Sequence, residues 1–307
     1  MTLQQMEYIV ALDKFRHFSL AAESCGITQP TLSSMIQKLE DELEIKIFDR
    51  SNKSVIPTSI GQKIIRQAQN VVNEAYRIKE MVADETTTTN GTLKIGILPT
   101  VAPYLVPDFI FFFKQNYPNV DLYIDEMKSS TMLNEVKWGD IDAGLGVGGV
   151  KEDGLLEIPL FTEKFVLYLS ENCSRHNMAF TSEMLSTDRM WILKEGHCIK
   201  DAAFSFCKAK AQGKQIYEAG SIDTLIKIVD RNGGYTIIPE LHNGFLTPEQ
   251  LTHVRNMSDI MPAHTISMYV RTDYIRERML NAISDTIKKI IPIEMTDKHL
   301  QKFGIKL

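Results

Sequence analysis

Residues 19–39 read SLAAESCGITQPTLSSMIQKL, and the architecture of the N-terminal third turns on this stretch. Its first run, Ser19 to Cys25, has the composition of a short helix and stops at Gly26, which suits a C-terminal cap or tight turn. A second helix starts close behind. Thr28 can cap it, Pro30 fits a first turn where no amide hydrogen is needed, and Leu32, Ile36 and Leu39 recur on one inward face. Upstream, Leu3, Met6, Ile9 and Val10 repeat at helical spacing, so the chain opens with a further helix from Leu3 to Leu12. Downstream, Ile45 to Phe48 and Arg50 to Val55 are two short extended runs around a polar tip, which reads as a β-wing. Residues 1–57 are therefore expected to form a winged helix-turn-helix head.

Thr58 or Ser59 begins a helical stretch that lasts to about Asp84, with Ile64, Ala68, Val71, Ala75, Ile78 and Val82 in alternating steps of four and three. That spacing specifies a coiled-coil seam, although such stripes also arise when a helix packs on its own domain. At 1.5 Å per residue the helix is about 40 Å long, which favours a dimer-forming linker. The polar run Thr86 to Gly91 breaks the periodicity, so residues 58–91 read as linker and hinge, and 92–307 as a separate domain.

Beyond the hinge, aliphatic runs alternate with amphipathic ones: Thr92–Leu98, a helix from Val101 to Asn116, Asp121–Glu126, a helix from Ser130 to Trp138, and Asp142–Val147. This alternation implies an α/β fold with parallel strands and crossover helices. Further strands are expected at Phe165–Leu169, Arg189–Leu193, Tyr235–Ile238 and Ile266–Val270, with a final helix from Tyr274 to Ile290. About 210 residues so arranged fit two α/β lobes with a cleft between them.

Composition narrows the function. The 307 residues carry 34 Lys and Arg against 39 Asp and Glu, a net charge of −5. A protein that coats nucleic acid indiscriminately needs the opposite balance, so DNA binding must come from locally placed groups. On the second helix of the motif these are Gln29, Thr31, Ser33 and Ser34, with Pro30 and Lys38 on the same stretch; on the wing, Arg50, Lys53 and Ser54 can meet phosphate or minor groove. Asp13, Lys14, Arg16 and His17 interrupt the early apolar residues, which supports neither an export signal nor a membrane span and points to the cytoplasm. Four cysteines, at 25, 173, 198 and 207, are too few for a secreted disulfide scaffold, and in a reducing compartment any disulfide among them reads as a redox event.

The residues Phe18 to Ala22, Thr28 to Ser33 and Gln37 to Leu43 together resemble the LysR-type transcriptional regulators. The resemblance implies a winged helix-turn-helix head, a linker-helix dimer, and a regulatory domain of periplasmic-binding-protein type with two lobes. Promoter DNA is the implied partner, in a homodimer or homotetramer, with RNA polymerase as a further protein such a regulator meets. Within that family, Gly196-His197-Cys198-Ile199-Lys200-Asp201 followed by Phe206-Cys207, and Leu98 to Leu105, look like segments of the hydrogen peroxide sensors. That likeness implies that Cys198 is oxidised first, to a sulfenic acid, and that Cys207 resolves it as a disulfide. It assigns Thr100, His197, Asp201 and Arg271 to a peroxide pocket, joined by Ser129, which stands where such sensors carry threonine. Ser34 likewise stands where the wider family has arginine.

The surroundings of Cys198 suit the chemistry, since Gly196 precedes an expected helix start and His197 and Lys200 add positive character that favours a thiolate. If residues 199–207 are helical when reduced, the two Cα atoms stand about 13 Å apart, whereas a disulfide needs under about 7 Å. Oxidation then has to unwind the segment. Three rivals remain at this stage. A LysR-type regulator could answer to a small metabolite in the cleft with its cysteines passive. A thiol enzyme could use Cys198 and His197, yet no dedicated reduction partner is visible. Zinc would need Cys173, His176, His197, Cys198 and Cys207, but no paired Cys-x2-Cys occurs, so no metal or cofactor is expected. The glycines at 144–149 precede a poor phosphate-cradling helix and carry no nucleotide site.

Overall fold

The computed structural model describes residues 1–49, 55–84, 89–171, 181, 190–193, 218–219, 221–258, 263–274, 276–302 and 304–306. Two compact units are formed, Met1–Thr87 with Trp138–Asp140, and Thr88–Lys137 with Ile141–Leu307.

In the first unit, helices α1 (Leu3–Phe15), α2 (Phe18–Ser24) and α3 (Gln29–Glu42) precede a two-stranded ribbon of β1 (Phe48–Asp49) and β2 (Ile56–Pro57), and then the long helix α4 (Ser59–Asp84). Thr2 opens α1 with a reciprocal capping box to Gln5. Ile9, Leu12, Leu32, Ile36, Leu39, Ile47 and Phe48 form the core with Ile65 and Ala68 of α4. Each buried Leu, Ile or Phe side chain contributes roughly 1.5–3 kcal/mol by leaving water. Thr28 occupies the cap position of α3 but makes no side-chain bond to its amides; its hydroxyl instead meets that of Thr31 at 2.8 Å. The seam expected along α4 divides. Ala68 is buried in the head's own core, whereas Val71 and Ile78 are exposed.

The second unit is built on a mixed sheet, not the parallel one the alternation suggested. β3 (Gly91–Ile97) lies between β4 (Val120–Glu126) and β5 (Ala143–Val147), all parallel, joined by α5 (Ala102–Asn116) and α6 (Ser129–Trp138). β6 (Leu155–Leu169) and β11 (Ala263–Arg271) then add antiparallel. Only the last five residues of β6 were expected; Pro159 and an irregular burial pattern disguise the first ten. Past Lys164, β6 leaves β11 and pairs instead with β9 (Tyr235–Pro239) and β10 (Val254–Arg255). The short strands β7 (Ile192–Leu193) and β8 (Glu218–Ala219) pair in parallel, and α7 (Ile222–Asn232) packs beside them.

Two hydrophobic cores follow from this exchange of partners. Leu93, Ile95, Ile97, Phe109, Phe113 and Met268 belong to one, with Ile283 from helix α8 (Glu277–Ile290). Val166, Leu167, Leu225, Val229 and Ile237 belong to the other. The regulatory unit is thus a two-lobed, periplasmic-binding-protein-like fold, and β6 is a strand shared by both lobes. The helix expected from Tyr274 begins at Glu277.

Candidate functional site

The second helix of the helix-turn-helix pair, α3, has an apolar face and a polar one. Because Leu32, Ile36 and Leu39 turn inward, Gln29, Pro30, Thr31, Ser34 and Lys38 are left exposed along the helix, while Ser33 is half-buried. The amino end of the helix, with its unpaired amides, lies on this face. The wing residues Arg50, Lys53 and Ser54 lie outside the described residues.

A residue that the sequence reading passed over fixes the root of the wing. Glu40 is buried, its Oε1 accepting the amide hydrogens of Ile47 at 2.8 Å and Phe48 at 3.1 Å, while Lys46 Nζ stands 3.3 Å from Oε2. The signal was present: Glu40 follows Ile36 by four residues, on the apolar stripe. Thr58 completes the root. Its hydroxyl donates to Lys46 O at 2.7 Å and accepts from the Gly61 amide at 3.0 Å, capping α4. Gly61 packs directly on the Ile47 carbonyl, where no Cβ fits.

In the regulatory unit, Thr100 is buried in the turn between β3 and α5, where Leu98 donates to Leu145 O and Val101 to Leu98 O. Ser129, half-buried, is the first residue of α6. Met127 donates to Ile97 O at 2.9 Å, tying the exit of β4 to that of β3. The two hydroxyl residues therefore share the carboxyl edge of the parallel strands, where open α/β sheets bind ligands.

Arg271 is not brought to them. Ile97 is level with Leu145 and Leu145 with Met268, so Arg271, three residues further along the antiparallel β11, lies about 10 Å toward the opposite edge. There its guanidinium holds Asp273 by two bonds of 2.9 and 2.7 Å. His197, Cys198, Asp201 and Cys207, like Cys173, lie outside the described residues. Cys25 is a free thiol at the margin of the head core. Among the described residues no group of His, Cys, Asp and Glu is arranged to hold a metal ion, and no helix is long and apolar enough to cross a membrane.

A second polar centre anchors the entrance of β3. Arg276 donates to Thr92 O at 2.9 Å and Asn90 O at 3.1 Å and stands 3.9 Å from Asp142, which also accepts the Lys94 amide at 2.8 Å. Burial raises the Asp142 carboxyl above its ordinary pKa, and the Lys94 amide and Arg276 oppose that rise.

The chain is similar to known proteins along its whole length. Residues 3–62 match the bacterial regulatory helix-turn-helix protein model of the lysR family, and residues 86–289 match the LysR substrate binding domain. A hydrogen peroxide-inducible genes activator of Haemophilus influenzae is 33% identical over 305 residues, 95% of this chain and 99% of its own. The DNA-binding transcriptional dual regulator OxyR of Escherichia coli is 35% identical over 243 residues, 78% of this chain and 80% of its own. Among solved structures, a full-length OxyR variant from Pseudomonas aeruginosa superposes with a TM-score of 0.82 at 29% identity, covering 97% of this chain and 98% of that one. With its head matching one LysR model and most of the remainder the other, the chain belongs to the LysR family of bacterial helix-turn-helix regulators.

Proposed function

We propose that this protein is a cytoplasmic, peroxide-responsive transcriptional regulator that switches promoter recognition through a reversible Cys198–Cys207 disulfide and controls antioxidant genes. The observation that carries the reading is the end-to-end likeness to peroxide-inducible activators, in a chain that keeps both cysteines and the buried Thr100. In the redox step, the Cys198 thiolate attacks one peroxide oxygen and the O–O bond breaks, leaving a sulfenic acid and releasing the second oxygen as water after protonation. The Cys207 thiol then displaces the sulfenic oxygen as a second water, closing the disulfide. Thr100 and Ser129 would hold peroxide by their hydroxyls, with His197 and Asp201 beside the thiolate.

Gln29, Pro30, Thr31, Ser34 and Lys38 would face duplex DNA, and Arg50, Lys53 and Ser54 its backbone beside the recognition helix. Dimerisation through α4 is supported by Val71 and Ile78, 38% and 67% exposed, as a coiled-coil seam requires. Tetramer formation and contact with RNA polymerase would follow from the same family plan. The test is binding to promoter duplexes selected by the reduced protein, followed by anisotropy before and after peroxide. Wild type should change its complex, and Cys198→Ser should not. A Cys198→Ser protein that responds to peroxide as wild type does would overturn the disulfide switch.

A further inference from the structure

The chain enters β3 through a glycine whose two neighbours are held by a single buried guanidinium. Gly91 takes a left-handed backbone conformation, with φ at +93°. The carbonyl before it, Asn90 O, accepts from one terminal nitrogen of Arg276 at 3.1 Å, and the carbonyl after it, Thr92 O, accepts from the other at 2.9 Å. A Cβ added at Gly91 would lie 3.5 Å from the same guanidinium. Asn90, Gly91 and Thr92 are exposed, whereas Arg276 is buried, so the clasp reaches outward from inside the unit.

Arg276 is itself anchored on several sides. It is the cap residue of α8, whose Met279, Leu280 and Ile283 share a core with Leu93, Ile95 and Phe109. Asp142 stands 3.9 Å away, with its Oδ2 on the Lys94 amide and its Oδ1 3.4 Å from Tyr274 Oη. Four residues of sequence separate Arg276 from Arg271, where β11 ends. Within that span Thr272 donates to Gly154 O at 3.0 Å and Tyr274 to Arg271 O at 3.1 Å. Because β11 pairs with β6, the strand common to both lobes, a continuous run of hydrogen bonds joins the lobe crossing to the first residues of β3.

We propose that Arg276 is the positioning residue that fixes the direction in which the linker leaves the regulatory unit. A rearrangement of the lobes is then handed to the DNA-reading heads through β11 and this clasp, and is not absorbed at Gly91. The inference rests on the reading of the chain as a regulator that dimerises through α4. A left-handed glycine is where a chain swivels most easily. Held by its neighbours' carbonyls on one planar fork, Gly91 cannot turn without breaking a hydrogen bond to a buried charge. Lysine at 276 would keep a cation beside Asp142, but its ammonium is a point donor that cannot span both carbonyls as the guanidinium does.

The test is anisotropy of the reduced, full-length protein on three duplexes: the one it selects, one half of that site, and the whole site lengthened between its halves by about five base pairs, half a helical turn. Wild type should bind the lengthened duplex about tenfold or more weakly than the selected one, because two heads on fixed exits cannot engage both halves. Arg276→Lys should bind the two within about threefold of each other and keep wild-type affinity for the single half. Gly91→Ala, whose backbone disfavours the left-handed conformation and so draws the carbonyls off the fork, should lose the discrimination too. The proposal is overturned if wild type does not discriminate, if Arg276→Lys discriminates as wild type does, or if it weakens binding to all three duplexes alike. Should Arg276→Lys fail to fold, Gly91→Ala decides by the same measure. No oxidant enters the measurement, so a wild type that forms no Cys198–Cys207 link with peroxide would sink the redox reading alone.

Discussion

Glu40 Oε1 accepts the Ile47 amide at 2.8 Å from inside the head, a carboxylate of the recognition helix fixing the first residues of the wing. The bond joins α3 to the root of the ribbon where Leu39, Ile47 and Phe48 also pack in one core. Glu40→Ala leaves two buried amides without an acceptor and should cost about 2–3 kcal/mol. Glu40→Gln keeps one acceptor oxygen and should cost about 1 kcal/mol. Urea unfolding of the two variants checks the order, and the alanine variant should also bind duplex DNA less tightly.

Lys38 and Ser34 extend the exposed face of α3 in opposite ways. Lys38→Ala should weaken binding to all sequences and lower the salt slope by about 1, the signature of one lost phosphate contact. Ser34→Arg adds a cation to this face and should strengthen binding. Anisotropy titrations across a salt series separate the two effects.

Much of the fold was legible because burial follows periodicity. Leu32, Ile36 and Leu39 recur as a helix demands, and the structure buries all three. The long helix was anticipated almost to its ends. Pro159 and mixed exposure hid the first ten residues of β6, and the burial of Glu40, although it lies on the apolar stripe of α3, escaped because its residue type argues for solvent. The separation of Arg271 from Thr100 and Ser129 follows from the register of β11 against β5, which no local pattern announces.

His242 gives a pH dependence with a defined sign. Burial depresses its folded-state pKa below the ordinary value of about 6.5, so the unfolded chain binds more protons in acid. The stability this group supports is complete above about pH 6.5 and is lost as pH falls through and below that value. His242→Gln should lessen the fall in unfolding free energy between about pH 7.5 and about pH 5.5. Denaturant midpoints at the two pH values provide the measurement.

Arg276, buried in the regulatory unit, should be costly to remove. Arg276→Ala strips two carbonyls at the entrance of β3 of their donor and leaves Asp142 buried with less compensation, for a loss of about 3 kcal/mol. The folded-state pKa of Asp142 is already raised, and the variant raises it further. Its deficit should therefore shrink as pH falls below neutral and the buried carboxyl takes up a proton. Unfolding of wild type and variant at neutral and mildly acid pH tests both the size and the sign.

The central claim concerns two thiols, and mass spectrometry of tryptic peptides after brief exposure of the reduced protein to peroxide tests it most directly. The account predicts a new linkage joining the peptides that contain Cys198 and Cys207, reversed by a thiol reductant and absent from Cys198→Ser. Persistent free thiols at both positions after peroxide treatment would contradict it.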